Sequence, residues 1–479
     1  MSLPKIIQGG MGVGISNWRL ANAVSRQGQL GVVSGTALDQ MLMRRLQDGD
    51  PGGHMRRGLD AFPIRAMAER IWQRYYIQGG KPERQAYVEL PQHLLDSPRE
   101  LIELCIVANF VEVFLAREGH AHPVGINYLE KIQLPHLPSM YGAMLAGVAF
   151  VLMGAGIPLK VPGALDRLAK HEPATYPLHV TGAHPGEEFL IKFDPQQFLD
   201  EPMAPLQRPS FLAIISSDVL GLTLQRKANG RVDGFIVEGP TAGGHNAPPR
   251  GKLQLTTDGQ PVYGERDRVD LVKLSALGLP FWLAGGYGSP DKVAEALSLG
   301  AAGVQVGTAF ALCAESGMRD DFRTAMLAQV AAGEAEIYTD PLASPTGFPF
   351  KVVQIPTSIS AENVYAARPR ICDLGYLREP YRLSESSVGW RCASEPVNIF
   401  VSKGGALQDT VGRKCICNAL IATSGHPQIR AGKHVEQGIV TSGDDLPAVE
   451  QFLRADGANY TAADVIAHLL SAVSVPVPA

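Results

Sequence analysis

The chain has 479 residues, 45% of them hydrophobic, with 43 Lys and Arg against 47 Asp and Glu. That length and apolar content suffice for a large core and exclude disorder as an overall description. The near-balance of charge excludes the strong positive field that draws a protein to nucleic acid or anionic lipid.

The early apolar stretch from Ile6 to Ile15 is short and interrupted by glycine, with no basic leader before it, and no run elsewhere approaches ~18 uncharged apolar residues. A non-secreted, cytoplasmic protein without a membrane segment is expected. Six cysteines in a chain of this size do not form a disulfide framework, which fits a reducing compartment.

Short runs of Val, Ile, Leu and Phe, bounded by Gly, Ser or Asn and followed by helix-like sequence, have the pattern of strands buried on both faces of a parallel sheet. In chain order they are Lys5 to Gln8, Gly31 to Ser34, Val124 to Asn127, Ala149 to Met153, Phe211 to Ser216, Gly234 to Glu238, Phe281 to Ala284 and Gly303 to Val306. Eight such units predict an α/β fold closed as a TIM (β/α)8 barrel.

Residues 39–118 are too many for one crossover and carry helical patterns at Ile64 to Tyr75 and Pro98 to Arg117, so a helical insertion is expected there. Residues 175–208 hold two apolar runs around a Gly- and Pro-bearing turn at Thr181 to Glu187, the pattern of a hairpin. After Met318 the βα rhythm stops. Residues 1–325 are thus read as the barrel and 326–479 as a C-terminal extension packed on it.

A barrel of this kind carries its site at the carboxyl ends of the strands, with phosphate groups on the loops after the seventh and eighth. The seventh strand runs into Gly285 and Gly286, and the eighth into Gly307 and Thr308, each ahead of a predicted helix whose free N–H groups suit an anion. One such turn alone is more simply a tight βα connection; two in succession favour a phosphate cup. The sixth strand leads into Gly243, Gly244 and His245, where glycine admits a planar ligand and the imidazole can take a proton from an acidic C–H or hold an oxyanion. Gly9, Gly10 and Met11 after the first strand lack bulky side chains apart from Met11, so a flat ring could lie against their main chain, or they form a glycine-rich turn that closes the barrel. Asn127 after the third can bond a heterocycle edge, and Gly154 follows the fourth; both also fit ordinary turn chemistry.

Cys372, Cys392, Cys415 and Cys417 lack paired knuckle spacing, and side chains of an extended Cys415-Ile416-Cys417 would diverge, so no metal site is assigned. Arg45, Arg56 and Arg57, and Lys403, Arg413 and Lys414, are read as solvated faces.

In order, Ile6 to Gly12, Gly31 to Ser34, Val124 to Asn127, Gly154 to Gly156, Glu238 to His245, Ala284 to Gly286 and Gln305 to Thr308 resemble the nitronate monooxygenase (2-nitropropane dioxygenase) family, whose FMN-dependent barrel superfamily includes flavin-dependent enoyl-acyl-carrier-protein reductases. The resemblance spans roughly residues 4–318 with two gaps. Beyond them only Ser344-Pro345-Thr346-Gly347 matches.

It implies FMN, with phosphate at Gly285, Gly286, Gly307 and Thr308, the ring near Gly9 to Met11 and Asn127, and His245 as the catalytic residue. The implied reaction converts an alkyl nitronate and dioxygen to a carbonyl compound and nitrite. An NAD(P)H-dependent reductase of enoyl thioesters or quinones is the alternative, since Gln-Gly-Gly-Met at the first strand is equally reminiscent of the reductases. A third reading is a non-catalytic flavin or acyl-carrier binding subunit. A homodimer is compatible with each.

Overall fold

The computed structural model describes residues 3–385, 387–430, 434–454 and 459–473. The barrel strands are β1 (Ile6–Gln8), β2 (Gly31–Ser34), β3 (Val124–Leu129), β4 (Phe150–Gly154), β5 (Ser210–Ile215), β6 (Gly234–Glu238), β7 (Phe281–Ala284) and β8 (Gly303–Val306). They form one eight-stranded sheet in which each strand pairs in parallel with its successor from β2 to β8, and β8 with β1. The ring closes where Gln8 N–H donates to Leu30 O at 2.9 Å and Leu30 N–H to Ile6 O at 3.1 Å. Gln8, fully buried, adds a side-chain bond by accepting from Val32 N–H at 3.0 Å.

Alternate residues of each strand point inward and fill the barrel, as the period of two requires. Ile7, Leu30, Val32, Leu152, Leu212, Ile236, Trp282 and Ala284 make this inner cluster. Trp282 is fully buried, its indole N–H satisfied by Pro4 O at 2.8 Å, so the large ring brings no unpaired polar group into the core. The inward series ends at the carboxyl rim with Glu238 and Gln305, which flank Ala284 in the strand register.

Helix α1 (Trp18–Arg26) joins β1 to β2. The segment between β2 and β3 forms α2 (Leu38–Gln47), α3 (His54–Ala61), α4 (Arg65–Tyr75) and α5 (Arg99–Arg117). Helix α5 is buried along most of its length and packs between α1 and the helix His136–Leu145. It takes the outer-layer place of the crossover helix, so the excess over one crossover is α2 to α4 and the loop to Arg99.

Strands Ala174–Pro177 and Leu190–Phe193 pair antiparallel. Their connecting loop is held by the C-terminal residues through Thr181 N–H to Pro380 O at 2.9 Å and a bidentate Arg382–Glu187 pair. The C-terminal residues add two further antiparallel pairs, Ile337–Asp340 with Phe350–Val353 and Glu379–Ser384 with Ser387–Arg391.

Three basic residues read as solvated are instead packed. Arg45 pairs at 2.5 Å with the buried Glu112, Lys414 is buried with its ammonium over the Tyr365 ring, and Arg413 donates to Leu342 O and Ser344 O. Each satisfies a buried acceptor or ring that the sequence does not place beside it. No helix among the described residues is long and apolar enough to cross a membrane.

Candidate active site

One cleft opens at the carboxyl end of the barrel. Gly9, Gly10, Met11, Asn127, Gly154, Gly243, Gly244, His245, Gly285, Gly286, Gly307 and Thr308 all line it. They come from six strand ends, brought together by the barrel closure. Gly154 also has a packing reason, since a Cβ there would meet Ile214 Cβ at 2.8 Å.

The turn after β7 requires glycine. Gly285 and Gly286 sit at φ +86° and +81°, and a Cβ on Gly285 would meet Thr241 Oγ1 at 2.8 Å and Ala242 N at 2.9 Å. A Cβ on Gly244 would meet nothing within 4 Å and would project into open space.

Two amide oxygens, Asn127 Oδ1 and Gln305 Oε1, are buried without a hydrogen-bond partner among the described residues. Unpaired buried acceptors are costly, so both are available to a ligand that donates.

The C-terminal residues build the opposite wall. Strand Phe350–Val353 runs against the turn after β6, with Asn246 N–H donating to Pro349 O at 2.9 Å and Lys351 N–H to Gly244 O at 3.0 Å. A strap from Thr441 to Asp445 lies beside it, where Thr441 Oγ1 accepts from Gly244 N–H at 2.7 Å and Asp444 N–H donates to Thr241 O at 2.9 Å. Thr308 Oγ1 donates to Asp445 at 2.6 Å and accepts from Gly443 N–H at 3.2 Å, so its hydroxyl is committed to the strap. The helix after β8 is only Thr308–Ala311, shorter than the sequence suggests.

His245 is partly buried, with its ring 4.7 Å from that of Phe350 and its Nε2 2.7 Å from Ser344 Oγ. Burial, reinforced by the positive charge of Lys131, pushes the imidazole down to about 3. The near-neutral pKa expected from residue type therefore does not hold: the dry wall formed with Phe350 and Ser344 removes the solvation that an imidazolium needs. That direction favours the neutral imidazole at neutral pH. Burial alone pushes the Glu238 carboxyl up to about 7, with no partner side chain offsetting it.

Sequence reasoning assigned no role to Glu238 or Gln305, although both stand at strand ends among the motifs, or to the Thr441–Asp445 strap. The strap's Thr-Ser-Gly-Asp-Asp turn was its one visible signal. Cys417 also reaches the cleft wall, from a helix (Ile416–Thr423) rather than from extended backbone. Among the described residues, no group of three or more His, Cys, Asp or Glu is arranged to hold a metal.

With this geometry in place, residues 211–337, which carry β5 to β8 and His245, match the nitronate monooxygenase family model. A nitronate monooxygenase of Pseudomonas aeruginosa is 35% identical over 122 residues, which are 24% of this chain and 32% of that protein. The matched stretch thus spans about a third of that relative's length. FabK from Thermotoga maritima aligns over 98% of this chain and 93% of its own at 15% identity and a TM-score of 0.49. Nitroalkane oxidase from Streptomyces ansochromogenes aligns over 98% and 96% at 15% identity and a TM-score of 0.43. The resemblance read from the motifs extends over residues 211–337, where this chain is similar to the nitronate monooxygenase family.

Proposed function

We propose that the protein is an FMN-dependent oxidoreductase whose substrate is an alkyl nitronate, oxidised with dioxygen to a carbonyl compound and nitrite. The observation that carries this reading is one cleft that joins His245 to a glycine-lined cradle and to two unpaired buried amide oxygens.

The residues fit the cofactor. Asn127 and Gln305 would offer acceptors to a ring N–H, and Gly9 and Gly10, beside Met11, a surface without side chains against which the ring would lie. The N–H groups of Gly285, Gly286 and Gly307 take the phosphate, since the Thr308 hydroxyl is already engaged by Asp445. Bound there, FMN supplies the electron transfer, and the protein supplies position and electrostatics. His245 orients the nitro or nitronate group by hydrogen bonding, and Phe350 keeps water from that edge of the cleft.

The second reading, a reductase of enoyl thioesters fed by NAD(P)H, draws on a neighbouring cavity. It shares Ala155, Ile214, Glu238 and His245 with the cleft and continues to Arg250 and Tyr263.

The test is the visible spectrum of the FMN-reconstituted protein under anaerobic conditions. Loss of the flavin band with propyl-2-nitronate alone supports the nitronate reading. Loss with NADH or NADPH alone selects the reductase, and a protein that takes up no FMN removes both.

A further inference from the structure

Behind His245 lies a continuous file of hydrogen-bonding groups. His245 Nε2 is 2.7 Å from Ser344 Oγ, Ser344 Oγ is 2.8 Å from Thr346 Oγ1, and Lys131 Nζ is 3.4 Å from Thr346 Oγ1. Ser344 is fully buried, so its hydroxyl has no water to turn to. The amine of Lys131 lies against the Phe348 ring, which holds it in place. Lys131 also lines a crevice with His93 and Arg378 that meets the main cleft at Ile132 and Tyr376.

The direction of the hydrogens in this file follows from the donor inventory. An ammonium at Lys131 only donates, so Thr346 must pass its own hydrogen to Ser344, and Ser344 must pass its hydrogen to His245 Nε2. The proton of the neutral imidazole is then on Nδ1. That nitrogen has no hydrogen-bond partner among the described residues and is not one of their buried unpartnered atoms, so it is the one accessible to a ligand in the cleft. A neutral amine at Lys131 has a lone pair, and the file can reverse. Nε2–H then donates to Ser344, Ser344 to Thr346 and Thr346 to the amine, leaving Nδ1 bare.

We propose that His245, Ser344, Thr346 and Lys131 form a proton relay in which the charge of Lys131 decides whether His245 presents an N–H donor or a bare nitrogen to the cleft. The proposal rests on the reading of the cleft as an active site. In the accepting direction one proton enters at Nδ1, the Nε2 proton passes to Ser344, each hydroxyl hands its own proton to the next group, and the amine becomes an ammonium. One proton enters, one is stored, and no electrons move.

The relay removes an obstacle that the site otherwise poses. An imidazole pushed down to about 3 cannot retain a proton at neutral pH, whereas burial brings the Lys131 amine down only to about 7, where it both takes and releases one. The charged and titratable groups facing the file are Glu130, which opposes the lowering of Lys131, and His93 and Arg378 in the crevice. Arg413 bonds Ser344 O, and Glu238 lies across the cleft. Ser344, Thr346 and Lys131 act through His245 and are positioning residues.

The test is the protonation of the His245 ring nitrogens in the full-length, FMN-loaded protein, read by nitrogen NMR on histidine-labelled material from about pH 6 to about pH 9 and assigned with His245→Gln. In the wild type, Nε2 changes from unprotonated to protonated with a midpoint near 7. Thr346→Ser keeps the change. Lys131→Arg holds Nε2 unprotonated throughout, and Thr346→Val abolishes the coupling. In turnover, Lys131→Arg loses kcat above neutral pH. A wild-type Nε2 that keeps one state across the range, or a Thr346→Val protein that titrates like the wild type, overturns the relay. A wild-type switch in a protein that reacts with neither nitronate nor nicotinamide upholds the relay and removes the functional reading alone.

Discussion

Thr308 and Asp445, 137 residues apart, are joined by a 2.6 Å hydrogen bond in which the hydroxyl donates to the carboxylate. The bond fastens the strap to the loop after the last barrel strand. Thr308→Val leaves a largely buried carboxyl and the Gly443 N–H without this partner, and costs about 1–3 kcal/mol. Faster proteolytic cleavage around residue 440 in Thr308→Val, restored to the wild-type rate in Thr308→Ser, is the expected result. Equal rates for all three would show that the strap is held without this bond.

His245→Ala is expected to retain FMN and to slow turnover about 10²–10⁴-fold, the usual range for a positioned proton-transfer or hydrogen-bonding group. Flavin content and single-turnover rates on the same preparation separate the two effects. An unchanged rate places the chemistry elsewhere in the cleft.

Gly307 is a better probe of cofactor retention than Gly286, whose φ of +81° strains any replacement. At Gly307 a Cβ would meet only Met11, with Sδ at 3.4 Å, and the backbone is in no glycine-only region. Gly307→Val should fold and lose most of its FMN on gel filtration, and full flavin occupancy would move the phosphate away from this loop.

Glu238 makes stability depend on pH. The folded protein keeps the carboxyl proton up to about 7, whereas the unfolded chain releases it near 4.5. Between those values unfolding releases a proton, so stability falls as pH rises through the window, by no more than about 3–4 kcal/mol. Glu238→Gln removes this component, so urea unfolding at about pH 5 and about pH 8 should give a smaller decrease for the variant than for the wild type.

The barrel was legible because parallel strands buried on both faces read as short runs of Val, Ile, Leu and Phe between Gly, Ser and Asn, as from Phe281 to Ala284. Strand ends then determine which residues meet, which is why Gly9, Asn127, Gly244 and Gly307 could be expected at one rim. The far wall was not legible. Phe350–Val353 reaches the turn after β6 through main-chain bonds that no side-chain periodicity encodes, and Thr441–Asp445 is an isolated turn more than 130 residues beyond the last barrel strand. Nor does a local motif reveal the state of His245, which is set by burial and by a lysine 114 positions earlier.

The site is therefore finished late in synthesis. Once the loop after β8 has been made, every barrel glycine of the cleft exists, but its opposite wall, with Gly443, does not. At roughly 5–20 residues per second the chain grows for about 7–28 seconds more before Asp445 is made. During that interval a nascent barrel exposes its apolar rim and its unpaired amides to the cell, and the strap can complete the binding site only afterwards.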